Sequence, residues 1–452
     1  MPAPRIAADP RPSWPYHPEL LATPVPRYTS YPTAAEFTEE FESEDLGTAL
    51  DRVGNDEPVS LYLHIPYCRE ICWYCGCSTG AANRSGRLKT YLDTLLREVA
   101  MIGARLGGRG RIGRIAFGGG SPNAIAPEQF DLLIDAVRAA FSCQDPIVSV
   151  EIDPRGFDAD WARALQRNGV ARASLGVQTM APHLQAIIGR VQPFELIQRA
   201  VGLLRGAGVD SINFDLMYGL PNQTDEDLQD TLDRSLSLGP DRLAVFGYAH
   251  VPHIIPRQRR IDATALPDAR ARFAQADLAY RTLIAEGLVA VGFDHFAQPA
   301  DALALAARCG TLRRNFQGFT EDGAEVLVGL GASAISAFPD RLLQNAKNTG
   351  QYHARIEAGA FAIARGVGRD REDRTRGRII EQLLTCGVTE LPAGMDLESE
   401  LERLAPFEDA GLIAITGRSV RLLPPAVPYA RAIATIFDRH RAASTTRFSA
   451  AI

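Results

Sequence analysis

A chain of 452 residues, 46% hydrophobic and 23% charged, has the composition of an ordinary globular protein with room for one large and one smaller domain. A formal net charge of −6 offers no basic surface to a phosphate backbone, so nucleic acid is not an expected partner. No apolar run approaches the ~18 residues of a membrane span. Met1–Pro26 is rich in Pro and Ala but lacks the apolar block of a signal peptide, so a cytoplasmic location is expected.

After an acidic stretch, Glu39–Asp45, β- and α-type patterns alternate. Strands are predicted at Val59–Ile65, Arg114–Phe117, Ile147–Ile152, Ala171–Val177, Ser211–Tyr218, Arg242–Ala249 and Val289–Phe293. Helices are predicted between them at Arg87–Leu106, Pro127–Phe141, Ala159–Asn168, Glu195–Ala207, Glu226–Leu238 and Asp268–Glu286. Strands spaced by such helices make βαβ units and a parallel sheet. Six or more in a row predict an α/β fold, a complete or partial (β/α) barrel. From about Arg365 the alternation stops. A run dense in Arg and Asp reaches Gly377; helical patterns follow at Ile379–Leu384, Glu398–Ala410 and Arg431–Ala442, with a small hairpin within Leu412–Leu423. Three regions result: an N-terminal arm that could act as a lid (1–57), a barrel catalytic domain (58–364) and a mostly helical C-terminal domain (365–452).

Alternate residues of a barrel strand face the helices and the cavity, and active sites form at the C-terminal strand ends. Read with period two, the first strand puts Tyr62 and His64 on one face. The third turns Glu151 and Asp153 away from Val148, Val150 and Ile152. The fourth sets Arg172, Ser174 and Gln178 against Leu175 and Val177, and the fifth sets Asn213 and Asp215 against Phe214 and Leu216. The sixth ends in Tyr248 and His250. A polar, roomy cavity is expected at the tops of five strands.

Four of the seven cysteines fall within ten positions, at Cys68, Cys72, Cys75 and Cys77. The others, Cys143, Cys309 and Cys386, read as small buried hydrophobes. Clustering of this kind in a reduced compartment points to a metal or redox centre. Thiolates at C-x3-C-x2-C can hold three irons of a 4Fe–4S cubane from one loop, leaving the fourth iron open unless Cys77 supplies a ligand. An open iron can be chelated by an amino and a carboxylate group, and such clusters reach the low potentials that reductive cleavage of a sulfonium needs. Trp73 and Tyr74 would shield the cluster and could stack on an adenine. The rival is a four-thiolate zinc site, which usually pairs two distant knuckles. Gly118-Gly-Gly-Ser-Pro122 follows the second strand, where bare backbone N–H and C=O groups could bind a methionine amino group.

These residues resemble the radical S-adenosylmethionine superfamily. The fuller pattern is similar to one family within it, the oxygen-independent coproporphyrinogen III oxidases. The resemblance runs nearly end to end. It rests on Pro26-Arg-Tyr-Thr-Ser-Tyr-Pro-Thr33, Tyr62-Leu-His-Ile-Pro66, the cysteine loop with its fourth cysteine, Glu151-Ile-Asp-Pro154 and Gly176-Val-Gln178. Asp215-Leu-Met-Tyr-Gly-Leu-Pro221, Tyr248-Ala-His250, Asp294-His-Phe-Ala297, Arg314-Asn-Phe-Gln-Gly318, Gly331-Ala-Ser-Ala-Ile-Ser336 and Phe448-Ser449 also agree. Leu383–Glu390 and the first 25 residues depart from the pattern.

The resemblance implies conversion of two propionates of coproporphyrinogen III to vinyls, giving protoporphyrinogen IX and carbon dioxide. A 4Fe–4S cluster on Cys68, Cys72 and Cys75 would reduce S-adenosylmethionine to a 5′-deoxyadenosyl radical that abstracts hydrogen from the propionate β-carbon. Two S-adenosylmethionine molecules are implied. The first would contact Tyr62, Gly119, Glu151 and Ile335; the second Tyr74, Gly120, Ser121, Gln178, Arg190, Asp215 and Ala249. Tyr62, His64 and Cys77 are the candidate catalytic residues. A tetracarboxylate calls for arginines, first Arg27, then Arg313 and Arg314, while Tyr28 and Tyr31 would pack on the tetrapyrrole. A low-potential electron donor, an electron acceptor and a monomeric state are also implied. The alternative is a haem-binding chaperone of the same superfamily, but such relatives generally lack the fourth cysteine and the Arg-Tyr-Thr-Ser-Tyr-Pro-Thr arm.

Overall fold

The structure, a computed structural model, describes residues 13–82 and 85–441. Six strands lie side by side in chain order, each parallel to the next: β1 (Pro58–Ile65), β2 (Arg111–Gly119), β3 (Cys143–Ile152), β4 (Val170–Gln178), β5 (Ser211–Tyr218) and β6 (Arg242–Gly247). The connecting helices are α1 (Ser85–Leu106), α2 (Pro127–Ala140), α3 (Ala159–Arg167), α4 (Phe194–Gly206) and α5 (Asp225–Ser237), with α6 (Ala269–Ala285) after β6. Alternation sorts the faces. Leu61, Leu63, Phe117, Val150, Ile152, Leu175, Val177, Phe214 and Leu216 are buried in one continuous core with the helices. The residues between them turn inward.

Past β6 the sheet ends in two short antiparallel strands, β7 (Val289–Val291) and β8 (His295–Ala297), with β8 next to β6. On the other side of β1 lies β9 (Val326–Leu330), also parallel. Antiparallel β10 (Ile335–Phe338), β11 (Arg341–Asn345) and β12 (Ile363–Gly368) extend it to twelve strands. The order runs from β12 to β7 without closing, so of the two expected forms the partial barrel is found. Val289–Phe293 continues the alternation on paper but is an antiparallel edge. β12 runs across the 364/365 boundary expected from composition.

The floor of the barrel is an ionic plug. Glu321 pairs with Arg114 at 2.8 Å and with Arg172, and although burial pushes its carboxyl up, the two guanidiniums hold it at about 2. Arg172 therefore lies at the opposite end from the strand tops.

Beyond the sheet, α7 (Arg371–Thr385) starts at a reciprocal cap between Asp370 and Asp373. It packs with α8 (Glu398–Asp409), three short strands and α9 (Ala430–Thr435) around Ile380, Leu383, Leu404, Val420, Ile433 and Phe437. The helix expected over Arg431–Ala442 stops at Thr435; Ala442 and the Phe448-Ser449 motif lie outside the described residues. The arm enters this second core. Tyr28 donates to Asp438 (2.8 Å) and Thr435 (3.1 Å), and the Tyr31 hydroxyl accepts from the Arg439 N–H (3.1 Å). Both rings are buried in it and anchor the arm, and both residues also line the large cavity beside α7. The lone cysteines also differ from expectation: Cys309 and Cys386 are exposed and Cys143 is half-buried.

Candidate active site

The first strand delivers the loop. Tyr62 and His64 point inward from β1, edge-to-face at 5.9 Å, and Tyr62 stacks in the same way on Phe316 at 4.9 Å. In register beside them lie Ala116 and Gly118 of β2. The side chain of Glu151, from β3, reaches over Gly118, and its Oε2 accepts the Gly119 N–H at 3.0 Å. A Cβ on Gly118 would sit 2.7 Å from the Glu151 carboxylate, on Gly119 2.5 Å from His64 Nε2, and on Gly120 2.6 Å from the Tyr67 carbonyl. Only glycines allow this approach. The N–H groups of the run are engaged internally: Gly119 to Glu151, Gly120 to Ile65 and Ser121 to Tyr67. What the run can offer an amino group is therefore carbonyl oxygen, the half of the expected pair that an ammonium needs.

Further round, Asp215 accepts from Ser174 (3.0 Å) and Asn213 (2.8 Å). Gln178 is buried and adopts φ 67°, where the β4–β5 register shifts. Tyr248 leaves the row. It is 1% exposed, within a small apolar cluster with Leu184, Met217 and Leu220 against which Trp73 and Tyr74 pack, and its hydroxyl meets His250 Nδ1 at 2.9 Å.

Burial sets the protonation states here. It pushes Glu151 up to about 7, against the pull of the Gly119 N–H; a cation brought beside it would restore the carboxylate. It pulls His64 down to about 4, so the imidazole is neutral across the physiological range, with Nε2 donating to the Ser78 carbonyl at 3.4 Å. His64→Leu is expected to lower kcat by at least about tenfold with iron content unchanged. Full activity would make it a packing residue only.

All four loop thiols are free of disulfides. Cys72 is the most buried, and its Sγ receives the guanidiniums of Arg155 and Arg190, each at 3.3 Å. Both arginines also hold Asp153, at 2.6 and 3.2 Å, and despite burial they keep its carboxyl below the usual range. Arg155 escaped the sequence reading; its signal was its place two residues past Asp153 at the end of β3. Cys77 lies beside Cys75, with its N–H on Cys75 Sγ at 3.3 Å; its thiol hydrogen bond is the main cause that holds the Cys75 thiol below its ordinary value. These features fit a thiolate-bound cluster: three sulfurs on one loop, cationic donors at the deepest one and a bare glycine cradle opposite. Among the described residues no three His, Cys, Asp or Glu side chains are gathered as round a single bound metal ion.

The remaining expected residues divide between two pockets. Ile335 lines a large cavity on the α7 side, together with Arg313 and Arg314. Ala249 lines a smaller one with Arg27, Arg272 and Arg431. Arg27 lies over the Phe246 ring and donates to the Gly247 carbonyl at 3.2 Å. Arg313 pairs with Glu381 at 2.9 Å. Arg314 is sandwiched against Phe293 and Phe319 and donates to the carbonyls of Tyr28 and Arg27. It fastens the arm.

A three-thiol loop after the first strand of a partial (β/α) barrel, facing a glycine cradle, defines a radical S-adenosylmethionine protein, and residues 62–234 match the model of the Radical SAM superfamily. The chain is 43% identical over 425 residues to an oxygen-independent coproporphyrinogen III oxidase of Bradyrhizobium diazoefficiens, covering 92% of this chain and 94% of the relative. It is 36% identical to one of Helicobacter pylori (94% and 96% covered). The solved coproporphyrinogen III oxidase of Escherichia coli, described as a radical SAM enzyme, superposes with a TM-score of 0.89 at 33% identity, covering 95% of this chain and all of the other. The chain belongs to the oxygen-independent coproporphyrinogen III oxidase family. It is thus a radical SAM oxidoreductase whose family carries a 4Fe–4S cluster and S-adenosylmethionine, and the chaperone alternative is not favoured.

Proposed function

We propose that this protein converts two propionates of coproporphyrinogen III to vinyls without oxygen, giving protoporphyrinogen IX and two carbon dioxides. The observation that carries this reading is the thiol loop set beside Tyr62, His64, the Gly118–Gly120 cradle and Glu151, in a chain alike along its length to oxidases named for that substrate. When bound, the cluster supplies the electron that cleaves S-adenosylmethionine homolytically.

The chain's own groups bind, orient and shield. Cys68, Cys72 and Cys75 hold the cluster, and Arg155 and Arg190 offset the charge gathered at Cys72. Tyr62, Gly119, Glu151 and Ile335 hold one S-adenosylmethionine; Tyr74, Gly120, Ser121, Gln178, Arg190, Asp215 and Ala249 hold a second. Tyr62, His64 and Cys77 face the reacting groups, and Arg27 takes a substrate carboxylate. Of the three expected regions (1–57, 58–364 and 365–452), the described part of the first serves as arm and lid, the sheet through Gly368 as the catalytic domain and the described helical part beyond it as its cover. A low-potential donor and a separate electron acceptor complete the balance. A cytoplasmic location and a monomeric state belong to the same proposal; no helix among the described residues is long and apolar enough to cross a membrane.

The test is anaerobic incubation of the iron-loaded protein with S-adenosylmethionine, reductant, electron acceptor and coproporphyrinogen III. Protoporphyrinogen and 5′-deoxyadenosine are expected. If neither forms, the proposal falls; if 5′-deoxyadenosine forms alone, the substrate is another. Cys77→Ser is expected to keep the brown chromophore, because three thiolates suffice. Loss of the colour would make Cys77 a ligand.

A further inference from the structure

The run dense in Arg and Asp after residue 365 has no part in the site described so far. It forms the start of α7, and it borders the largest cavity described, about 550 Å³, between the arm, β10, β11 and α7. Phe316 and Ile335 line that cavity, and Phe316 lies against Tyr62. The α7 side of its lining is basic. Arg371, Arg374 and Arg378 line it, at i, i+3 and i+7 of one helix, and therefore on one face.

That stripe is unfavourable as it stands. Like charges three and four apart on a helix repel, and two of the three lie in the first turns, where the helix macrodipole disfavours cations. Arg376, on another face, is ion-paired with Glu372 and Glu400. Among the described residues, the side chains of Arg371, Arg374 and Arg378 have no such partner. Arg369, beside them, has a buried Nε without a hydrogen bond. The three acids lining the cavity are engaged away from the stripe: Glu381 holds Arg313 and the Arg314 N–H, Asp322 holds Ser60, and Glu325 acts on Arg313 and Arg369. An unpaired basic face, a cavity and an orphaned guanidinium nitrogen together call for an anionic ligand with several separated carboxylates.

We infer that Arg371, Arg374 and Arg378 form a carboxylate-binding wall that holds the propionates not undergoing reaction, while the reacting propionate points toward Tyr62. This rests on the proposed function and specifies its substrate contacts. The wall would select for the number of carboxylates at the far end of the macrocycle, leaving the chemistry to the other.

The probe is coproporphyrin III, the stable oxidised form of the substrate, titrated by fluorescence anisotropy against the iron-loaded protein, with its tetramethyl ester as the uncharged control. Arg374→Gln is expected to weaken binding about tenfold, and the triple Arg→Gln variant at least about a hundredfold, from lost charged hydrogen bonds. The ester should bind wild type and triple variant alike, and Arg→Lys versions should recover part of the affinity through charge alone. In turnover the triple variant should raise KM for coproporphyrinogen III, with uncoupled 5′-deoxyadenosine formation retained. An unchanged Kd in the folded triple variant, with wild type active, overturns the wall and leaves the function standing. A wild type that neither binds the porphyrin nor turns over the porphyrinogen overturns both.

Discussion

Cys72→Ser is expected to abolish turnover and to remove the iron–sulfur absorbance, whereas Cys143→Ser, Cys309→Ser and Cys386→Ser should leave both unchanged. Cys72 is the most deeply placed of the loop thiols, and two guanidiniums already meet its sulfur at 3.3 Å. A serine hydroxyl is a poor iron ligand and ionises far above a thiol, so the site would lose a third of its thiolates and the anion that Arg155 and Arg190 face. Two cations would then face each other with Asp153 as the one acid they share, Glu70 reaching Arg155 alone, an arrangement costly in a low dielectric. Iron and sulfide analysis after anaerobic reconstitution, with 5′-deoxyadenosine release, checks this. A fully loaded, active Cys72→Ser protein would move the ligand set elsewhere.

The largest loss of stability is expected away from the loop, at Glu98 of α1. It is fully buried and accepts from the Gly331 N–H (2.6 Å), Tyr352 hydroxyl (2.8 Å) and Asn345 amide (2.7 Å). Glu98→Leu strands three buried donors, a cost of about 3–5 kcal/mol by analogy with broken buried charge networks. Glu98→Gln should cost far less, because Asn345 Oδ1 has no partner and can turn to receive the new amide. Burial pushes the Glu98 carboxyl up to about 7. A carboxyl raised on folding favours the folded state when protonated, so its contribution is complete below about 4.5 and disappears as the pH rises through about 7. Thermal unfolding midpoints across that window should fall with pH in wild type and fall less in Glu98→Gln. The network also reaches the site: Tyr91 takes the Ala332 N–H at 3.1 Å and donates to the His64 carbonyl at 2.6 Å.

The sequence made the parallel core legible because its strands are exposed to different surroundings on their two faces. Leu61 and Leu63 against Tyr62 and His64, or Phe214 and Leu216 against Asn213 and Asp215, write the barrel in alternating letters. β9 was missed because Val326–Leu330 is buried along its whole length, and a strand covered on both sides has no alternation to read. The antiparallel edge at Val289 could not be told from a parallel strand, since local pattern does not encode direction. In the site, residues on strands were found from alternation, and loop residues such as Arg190 only through the resemblance. Arg155 reaches Cys72 across 83 positions. Glu98 could have been suspected, because it interrupts the buried stripe Tyr91, Leu95, Ile102 of α1. The arginines were the hardest: Arg313 and Arg314 look alike in sequence, yet one faces Glu381 and the other grips backbone.

The arm's route fixes an order of assembly. Tyr28 and Thr435 are 407 positions apart, so a ribosome releases the arm long before the groups that receive it. Until that last stretch emerges, the cavity beside α7 lacks the groups that anchor the arm at its rim. Anchoring of the arm thus joins the two extremes of the described chain and comes late in folding.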